Sequence, residues 1–241
     1  MPLTSIKFFK FKIFVVFFVS ITFIFSISAN VTTHRYTFDN GNANDSVGTR
    51  DGNPTSNTTY LEAPTYSNTD RVSGMQGFSM KLGANAGSKK SGFSINQNAF
   101  NHAEGAYSVW ARADSAATSG HADYLVSVLP SATGLTTFLK GNSAKLMMNV
   151  AGSSVESNNI NVGTTQSDWN HISVVWDENA TISNGLATFY LNGVQLGTQT
   201  FNSGILNPSR ISIGAFKHNN NSSQMDKQWK GAIDDLLFYN N

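Results

Sequence analysis

The sequence predicts an all-β fold, because its apolar residues recur with the period of strands and not with that of helices. Short segments alternate apolar and polar residues between stretches rich in Asn, Ser, Thr and Gly, and such alternation is typical of half-buried strands. These segments are GFSMKLGA (77–84), AYSVWARA (106–113), ADYLVSVL (122–129), KLMMNVAG (145–152), HISVVWD (171–177) and RISIGAF (210–216). After the N-terminal segment, no window of the sequence carries an amphipathic helical stripe.

The first residues predict a signal peptide over residues 1–29. A basic stretch, Lys7 to Lys12, precedes an apolar run from Ile13 to Ile27, and cleavage after Ser28 or Ala29 fits the small residues that follow. We therefore expect a secreted protein, extracellular or periplasmic. A membrane anchor is the alternative left open, although a spanning helix needs roughly 20 apolar residues and this run is shorter unless the preceding phenylalanines are counted.

Residues 30–241 are expected to form one domain, since neither an internal repeat nor a proline-rich linker divides them. The formal net charge is +1 and only 13% of the residues are charged, so the chain has no basic stripe for phosphates. We expect no nucleic-acid partner, and contact with a membrane only through an uncleaved signal. Cysteine is absent from the sequence, so packing, with a metal if one is bound, must stabilise an exported fold without disulfides.

A β-hairpin is predicted together with its turn. The segment ATFYLNGVQLGTQTF (187–201) places Asn192-Gly193 between two strand-like runs. A type I′ turn needs positive φ at both central positions, which Asn and Gly adopt at low cost. The longest polar stretches without strand character, residues 42–59 and 218–228, are predicted loops, where binding sites on β scaffolds usually lie.

Seven segments, in this order, resemble the laminin G-like jelly rolls of the concanavalin A-like lectin and glucanase superfamily, and more distantly the pentraxins. They are YTFDNGNANDSVG (36–48), GFSMKLG (77–83), YSVWARA (107–113), DWNHISVVWD (168–177), TFYLNGVQLG (188–197), ISIGAF (211–216) and KGAIDDLLFYN (230–240). The resemblance implies a jelly-roll sandwich of two curved antiparallel sheets, with the first and last strands side by side. It also matches Ser108 and Ser173 to the positions of a pentraxin disulfide, which packing must replace here.

The last segment carries two adjacent carboxylates, Asp234 and Asp235, among apolar residues. Regular alternation puts Asp235 in phase with Ile233 and Leu237, and Asp234 in phase with Leu236, so one carboxylate must lie among apolar neighbours on either choice of core face. An unpaired buried charge is costly, so that carboxylate needs a partner.

A structural calcium ion is the partner that we expect for these carboxylates. If the terminal strands pair, Asp39 and Asp45 approach Asp234 and Asp235, and such a set of oxygen ligands suits Ca²⁺. Relatives of the fold hold calcium in this region, which the resemblance carries over. The alternative left open is that the aspartates bond backbone amides and hydroxyls, or that one faces solvent.

Candidate ligand contacts come from the loop that precedes the last segment. His218, Asn219 and Asn220 offer polar groups that could bond sugar hydroxyls, unless the loop is only a solvated surface. Trp229 follows this loop, so its ring is expected near the loop rim, where an aromatic face can cover a sugar ring.

Catalysis is not expected. A retaining glycosidase needs two carboxyl groups roughly 5–5.5 Å apart, and the hydrolase relatives use a Glu-x-Asp-x-x-Glu type run that none of the glutamates here, Glu62, Glu104, Glu156 and Glu178, belongs to. We therefore expect a secreted, non-catalytic, lectin-like module that binds a glycan or cell-surface polysaccharide. The alternatives are a structural or protein-interaction module without glycan binding, and a divergent glycan hydrolase or lyase.

Overall fold

The computed structural model describes residues 32–53, 61–62, 64–72, 77–82, 90–95, 103–117, 122–129, 134–181, 184–202, 210–217, 225–226 and 228–240. The signal peptide predicted over residues 1–29 lies outside these ranges. Within them, no helix is both long and apolar enough to cross a membrane.

The described residues form strands joined by turns and loops, with one short 3₁₀ turn at Gln166–Asp168. The strands are β1 (Thr32–Tyr36), β2 (Leu61–Glu62), β3 (Thr65–Ser67), β4 (Ser79–Leu82), β5 (Lys90–Ser91), β6 (Phe93–Ile95), β7 (Glu104–Ala113), β8 (Asp123–Leu129), β9 (Leu135–Leu139), β10 (Lys145–Val150), β11 (Ser153–Asn159), β12 (Asn170–Asp177), β13 (Asn184–Leu191), β14 (Val194–Asn202), β15 (Arg210–Ile213), β16 (Phe216–Lys217), β17 (Met225–Asp226) and β18 (Gly231–Asn240). The all-β prediction is confirmed.

Two antiparallel sheets form the sandwich. The eight-stranded sheet has the order β14-β13-β12-β7-β18-β4-β3, with β1 also paired to β18, and the six-stranded sheet has the order β11-β10-β9-β8-β15-β6. Two short ladders, β16-β17 and β2-β5, lie outside them. This arrangement confirms the predicted jelly-roll sandwich, because the connections cross between sheets and do not follow chain order.

The core lies between the inner faces of the two sheets. On β7, for example, Tyr107, Val109 and Ala111 are buried in it, and Leu146 and Met148 of β10 belong to the same cluster from the other sheet. Alternate positions on each strand therefore point outward, as the period-two pattern requires. Burial of this apolar surface is the main stabilising contribution to a fold without disulfides.

The predicted hairpin is confirmed. Leu191 of β13 is paired with Val194 of β14, so Asn192 and Gly193 form a two-residue loop. Their φ angles of 50° and 77° are both positive, as the type I′ turn demands. Asn192 also accepts a hydrogen bond from the backbone N–H of His171 through its side chain, at 2.8 Å, which fastens the turn to β12.

The first and last strands are neighbours, as expected. β1 runs antiparallel to β18, with Arg35 opposite Leu237 and Tyr36 opposite Leu236. Ser108 and Ser173, the positions matched to the pentraxin disulfide, are directly opposite each other on β7 and β12. The pairing of the terminal strands brings the chain's acidic N-terminal loop to the carboxylates of β18.

Candidate functional site

A β-bulge in β18 sets the directions of the two adjacent carboxylates. Asp234 is paired with Trp110 and Leu237 with Ser108, so two residues of β18, Asp235 and Leu236, stand opposite one residue of β7. Asp235 has a φ of 44°, the left-handed conformation that a bulge or turn imposes on a non-glycine residue.

The bulge overturns the alternation expected for this strand. Ile233, Leu236 and Phe238 are all fully buried in the core, although Ile233 and Leu236 are three residues apart and regular alternation would place them on opposite faces. Asp234 shares the outer face with its partner Trp110, because directly paired residues in a sheet lie on one face. The three-residue spacing of apolar residues was the sequence signal for this bulge.

Asp234 is a buried carboxylate with one unsatisfied oxygen. Its side chain lies at a residue exposure of 2%, and its Oδ1 accepts a hydrogen bond from the backbone N–H of Asp235 at 2.8 Å. Its Oδ2 has no hydrogen-bond partner among the described residues. Burial, together with the nearby charges of Asp235 and Asp39, raises the pKa of Asp234 to about 7.

Asp39 approaches Asp234 from the loop after β1. Its residue is exposed, and its charge is close enough to contribute to the raised pKa of Asp234. Gly77 makes room for it: this glycine has a φ of +92°, and a Cβ atom there would collide with the Asp39 carboxylate. The positive φ therefore favours a glycine at this position, and its missing side chain leaves the space that the Asp39 carboxylate occupies.

Asp235 connects the last strand to the first. Its Oδ1 accepts a hydrogen bond from Arg35 Nε at 2.8 Å, and the Arg35 side chain is 44% exposed while that of Asp235 is 14% exposed. This hydrogen bond is the main cause of the raised pKa of Arg35. The ion pair ties β1 to β18 at the bulge.

Asp45 has a different role from the one expected for it. Its side chain is fully buried and lies 2.5 Å from His34 Nδ1. It also accepts hydrogen bonds from the backbone N–H groups of Arg35, Val47, Gly48 and Arg50. Burial opposes ionisation, but the hydrogen bonds from His34 and these amides outweigh it and lower the pKa of Asp45 to about 2. Asp45 thus follows the alternative in which an aspartate bonds backbone amides.

The four aspartates expected to bind a metal are therefore divided among separate tasks. Within the described ranges, no three His, Asp or Glu side chains form a group that could hold a metal ion. Asp234 and Asp39 are the two whose carboxylate oxygens could bind a cation. Asp45 is instead bonded to His34, and Asp235 is bonded to Arg35.

Trp229 is buried in the core, which corrects the rim position expected for it. Its exposure is 0%, and its ring N–H donates to the carbonyl oxygen of Arg112 at 3.0 Å. The backbone N–H of Trp229 also donates to the carbonyl oxygen of Gly214. Trp229 is therefore already part of the packed sandwich and not of the preceding loop. We therefore drop Trp229 as a ligand contact. His218, Asn219 and Asn220 lie outside the described residues.

Beside Asp234, the outer face of the eight-stranded sheet carries a buried ion-pair network that the sequence analysis missed. Arg112, 1% exposed, makes ion pairs with both carboxylate oxygens of Asp70 and with Asp114 at 2.9 Å. Lys81 contacts Asp70 at 3.0 Å. The guanidinium of Arg112 also lies 5.6 Å from the ring centre of Trp169. The sequence signal for this arginine was its place on β7, because a residue between the core residues Ala111 and Ala113 must point outward.

Comparisons with known proteins agree with this architecture. A family model described as the concanavalin A-like lectin/glucanases superfamily matches residues 86–241. No curated protein shows significant similarity to the chain.

Two solved structures illustrate the likeness. Domain 4 of AbnA, a GH43 extracellular arabinanase from Geobacillus stearothermophilus solved in complex with arabinotriose, has a TM-score of 0.56 and 20% identity, over 87% of this chain and 92% of that chain. The receptor binding domain of botulinum neurotoxin type G has a TM-score of 0.55 and 16% identity, over 86% of this chain and 47% of that chain. At these identities the likeness shows the fold alone.

Proposed function

We propose that this chain, which belongs to the concanavalin A-like lectin/glucanases superfamily, is a non-catalytic carbohydrate-binding module. The observation that carries the proposal is the sandwich itself, which resembles over nearly its whole length a domain solved with arabinotriose. Fold does not fix function, so the ligand class needs a direct test.

The non-catalytic part of the proposal is supported by the acidic residues. None of the glutamates belongs to the run used by the hydrolase relatives. The two carboxylates of β18 do not act on one substrate bond. Asp234 is buried on the outer face, and Asp235 is paired with Arg35. A general acid and a nucleophile must instead face one substrate bond together.

A glycan array followed by calorimetry on the mature chain tests binding. We expect at least one oligosaccharide to bind, and no reducing-sugar or unsaturated product to form from the same panel. Product release would replace the proposal with a glycan-cleaving enzyme. Absence of glycan binding, with or without calcium, would favour the protein-interaction alternative, for which the likeness to a toxin's receptor binding domain gives a precedent.

We also propose that a calcium ion stabilises the junction of the terminal strands. The Oδ2 of Asp234, which lacks a hydrogen-bond partner within the described part of the chain, and the neighbouring Asp39 carboxylate fit a hard cation, which prefers oxygen ligands. Asp235 would adjoin this site through the bulge, and Asp45 would shape the loop without contacting the ion. The ion's role here is to neutralise the clustered charges.

Thermal unfolding with calcium or with chelator tests the metal. We expect chelation to lower Tm, and Asp234→Asn and Asp39→Asn to abolish the difference between the two conditions. Asp177→Asn, at the end of β12 and separated from β18 by β7, is the matched control that should retain it. An unchanged Tm of the parent chain in excess chelator would eliminate the calcium proposal.

Export is the remaining part of the proposal. Its support is the basic and apolar pattern of residues 1–29. Expression of the full chain, cell fractionation and N-terminal sequencing should yield an exported protein that begins after Ser28 or Ala29. An uncleaved chain that fractionates with membranes would establish the anchor alternative instead.

A further inference from the structure

The eight-stranded sheet ends at β14, which is longer than the other strands that end a sheet. β14 comprises nine residues, Val194–Asn202, and within the described part of the chain it is paired only with β13. Alternate residues of such an edge strand direct their backbone N–H and C=O groups away from the sheet. β14 therefore presents a row of backbone groups that another strand could bond.

The other end strands of the two sheets are short or protected. β3 and β6 have three residues each, and the backbone of Asn53 is bonded to β6. β11 carries Glu156, whose ion pairs with Lys140 and Lys145 place charges on that strand. Short strands and charged side chains are two means by which proteins prevent edge-to-edge pairing.

β14 lacks both of these protections. Residues 179–209 contain no Asp, Glu, Lys or Arg, so neither β14 nor its neighbour β13 has charge to repel an approaching strand. A bulge at Leu196 interrupts the start of β14. After this bulge, residues 197–202 are paired with β13 in regular register. We call residues 197–202 the open edge.

The contacts of the open edge with the other sheet lie on its inner face. Gly197 is paired with the core residue Phe189, so Gly197 and Gln199, two positions on, face the sandwich. A Cβ atom on Gly197 would lie 3.3 Å from the Val155 side chain of β11. Gln199 Nε2 donates to the carbonyl oxygen of Ser154, also on β11, at 3.3 Å. β11 thus lies beneath β14 and is not paired with its edge.

The outer side of the open edge carries small neutral side chains. Thr198 and Thr200 are exposed, and they alternate with the inward Gln199. β-branched residues favour strands, and pairs of threonines across antiparallel strands stabilise a sheet. The open edge therefore matches the chemistry of another strand like itself.

We propose that the open edge pairs with the open edge of a second copy of this chain, so that the two eight-stranded sheets continue into each other. Antiparallel pairing about a two-fold axis perpendicular to the sheet brings the same residues of both copies together. An edge with charges of one sign would repel its own copy in such a pair, whereas an uncharged edge does not. Because each copy uses its open edge once, assembly stops at the dimer.

Such a dimer would also present every ligand-binding face twice and in a fixed orientation. Two linked faces raise the apparent affinity for a polymer with repeated binding units, without any new contact. This consequence rests on the proposed carbohydrate binding, whereas the dimer itself does not.

Size-exclusion chromatography with light scattering on the mature chain, without any glycan, tests the dimer. We expect the mass of two chains, with dissociation to one chain on dilution. The mass of a single chain at every concentration would overturn the proposal, and so would large open assemblies. Neither result would bear on carbohydrate binding, which the glycan array measures separately.

Thr198→Lys and Thr200→Lys test whether the open edge forms the interface. Each places like charges opposite each other in the paired copies, so we expect the Kd of the dimer to rise about tenfold or more. Both residues are exposed, and the monomer should keep its Tm. Val175→Lys is the matched control, because Val175 is 45% exposed and its strand, β12, is separated from β14 by β13.

The control should leave the Kd of the dimer within about twofold of that of the parent chain. A dimer that survives both threonine substitutions but is lost with Val175→Lys would move the interface to the outer face of the sheet and overturn the assignment.

Hydrogen exchange on the unsubstituted chain gives an independent readout. Outward amides of the open edge should exchange more slowly at a high protein concentration than at a low one, because pairing between copies protects them. Amides elsewhere in β13 should exchange equally at both concentrations. Open-edge amides that are protected equally at all concentrations would show that a segment of the same chain covers the edge, and would contradict the proposal.

Discussion

Two buried aspartates in this protein ionise in opposite ways, and their hydrogen bonds explain why. Asp45 receives bonds from His34 and from backbone amides, and its pKa falls to about 2. Burial and the nearby carboxylates raise the pKa of Asp234 to about 7, and its Oδ2 has no hydrogen-bond partner among the described residues. The supply of donors, and not burial alone, decides whether a buried carboxylate carries its charge.

Asp45→Ala should strongly destabilise the protein, because it leaves the buried His34 ring and several partly buried backbone N–H groups without an acceptor. We expect a loss of about 2–4 kcal/mol in the free energy of unfolding, measured by urea denaturation at pH 7. Asp39→Ala, which removes an exposed carboxylate, should cost less than about 1 kcal/mol in chelator.

The acid dependence of the same variant has a defined sign. Because the native pKa of Asp45 lies below its ordinary value of 3.8, its contribution to stability is present above about pH 4 and is lost as the pH falls toward 2. The difference between parent and Asp45→Ala should therefore shrink over this window. Equal differences at pH 2 and pH 5 would contradict the assignment.

Asp234→Asn should show the opposite trend in chelator. The native pKa of Asp234 lies above its ordinary value of 3.8 and reaches about 7, so the native state holds a proton that the unfolded state releases. The parent chain should lose stability as the pH rises from about 4 to 7, and the variant should not lose this contribution. Urea denaturation across that range, repeated with calcium, measures both effects; parallel curves in chelator would refute the prediction.

At the scale of single elements, sequence reasoning succeeded where local chemistry dictates structure. Asn192-Gly193 specifies its own turn, since both residues tolerate positive φ. It failed at β18 because a bulge is a relation between two strands, and the phase of Asp234 depends on which residue of β7 it meets. The position of Trp229 was misjudged for the same reason, since hydrogen bonds to Gly214 and Arg112 hold it in the core.

Deleting Asp235 should give a folded protein, because the deletion removes the extra residue of the bulge and keeps Asp234 and Asp39. Without the extra residue, Ile233, Leu236 and Phe238 follow regular alternation on the core face, so the strand can close onto β7. Loss of the ion pair with Arg35 should destabilise the protein by about 1 kcal/mol or less. Removal of the left-handed backbone conformation should stabilise it by about 1–2 kcal/mol. Thermal unfolding with and without calcium measures the result.

Deletion of Leu237 is the control for this experiment. It moves Phe238 to the outer face while the bulge remains, so we expect the variant to be unfolded or aggregated. If both deletions unfold the chain equally, the bulge belongs to the fold and not to the site.

At the scale of the whole molecule, the fold class and the contact between terminal strands could be predicted because they depend on patterns distributed over the entire chain. The division of labour among the acidic side chains could not, because it depends on individual donors such as His34 and Arg35. The contact between the rings of Tyr124 and Phe138 was equally hidden, since these residues meet only through strand register.

Removing β1 should disrupt the molecule well beyond the loss of five residues. A chain that begins at Thr37 lacks the buried ring of Tyr36 and leaves Leu236 to Tyr239 of β18 with an unpaired edge. Exposed edges pair with other chains, so we expect aggregation on size-exclusion chromatography and a lowered Tm. A chain that begins at Asn30 and carries Arg35→Gln, which removes only the ion pair, should not aggregate.

Thr32 is paired with Tyr239, so the start of the first strand and the end of the last strand lie side by side. A short peptide could therefore close the chain into a ring, and opening that ring at the tight turn after Leu191 would give a circular permutant with the same sheets. By the same geometry the unit could be inserted as a cassette into a surface loop of a host enzyme.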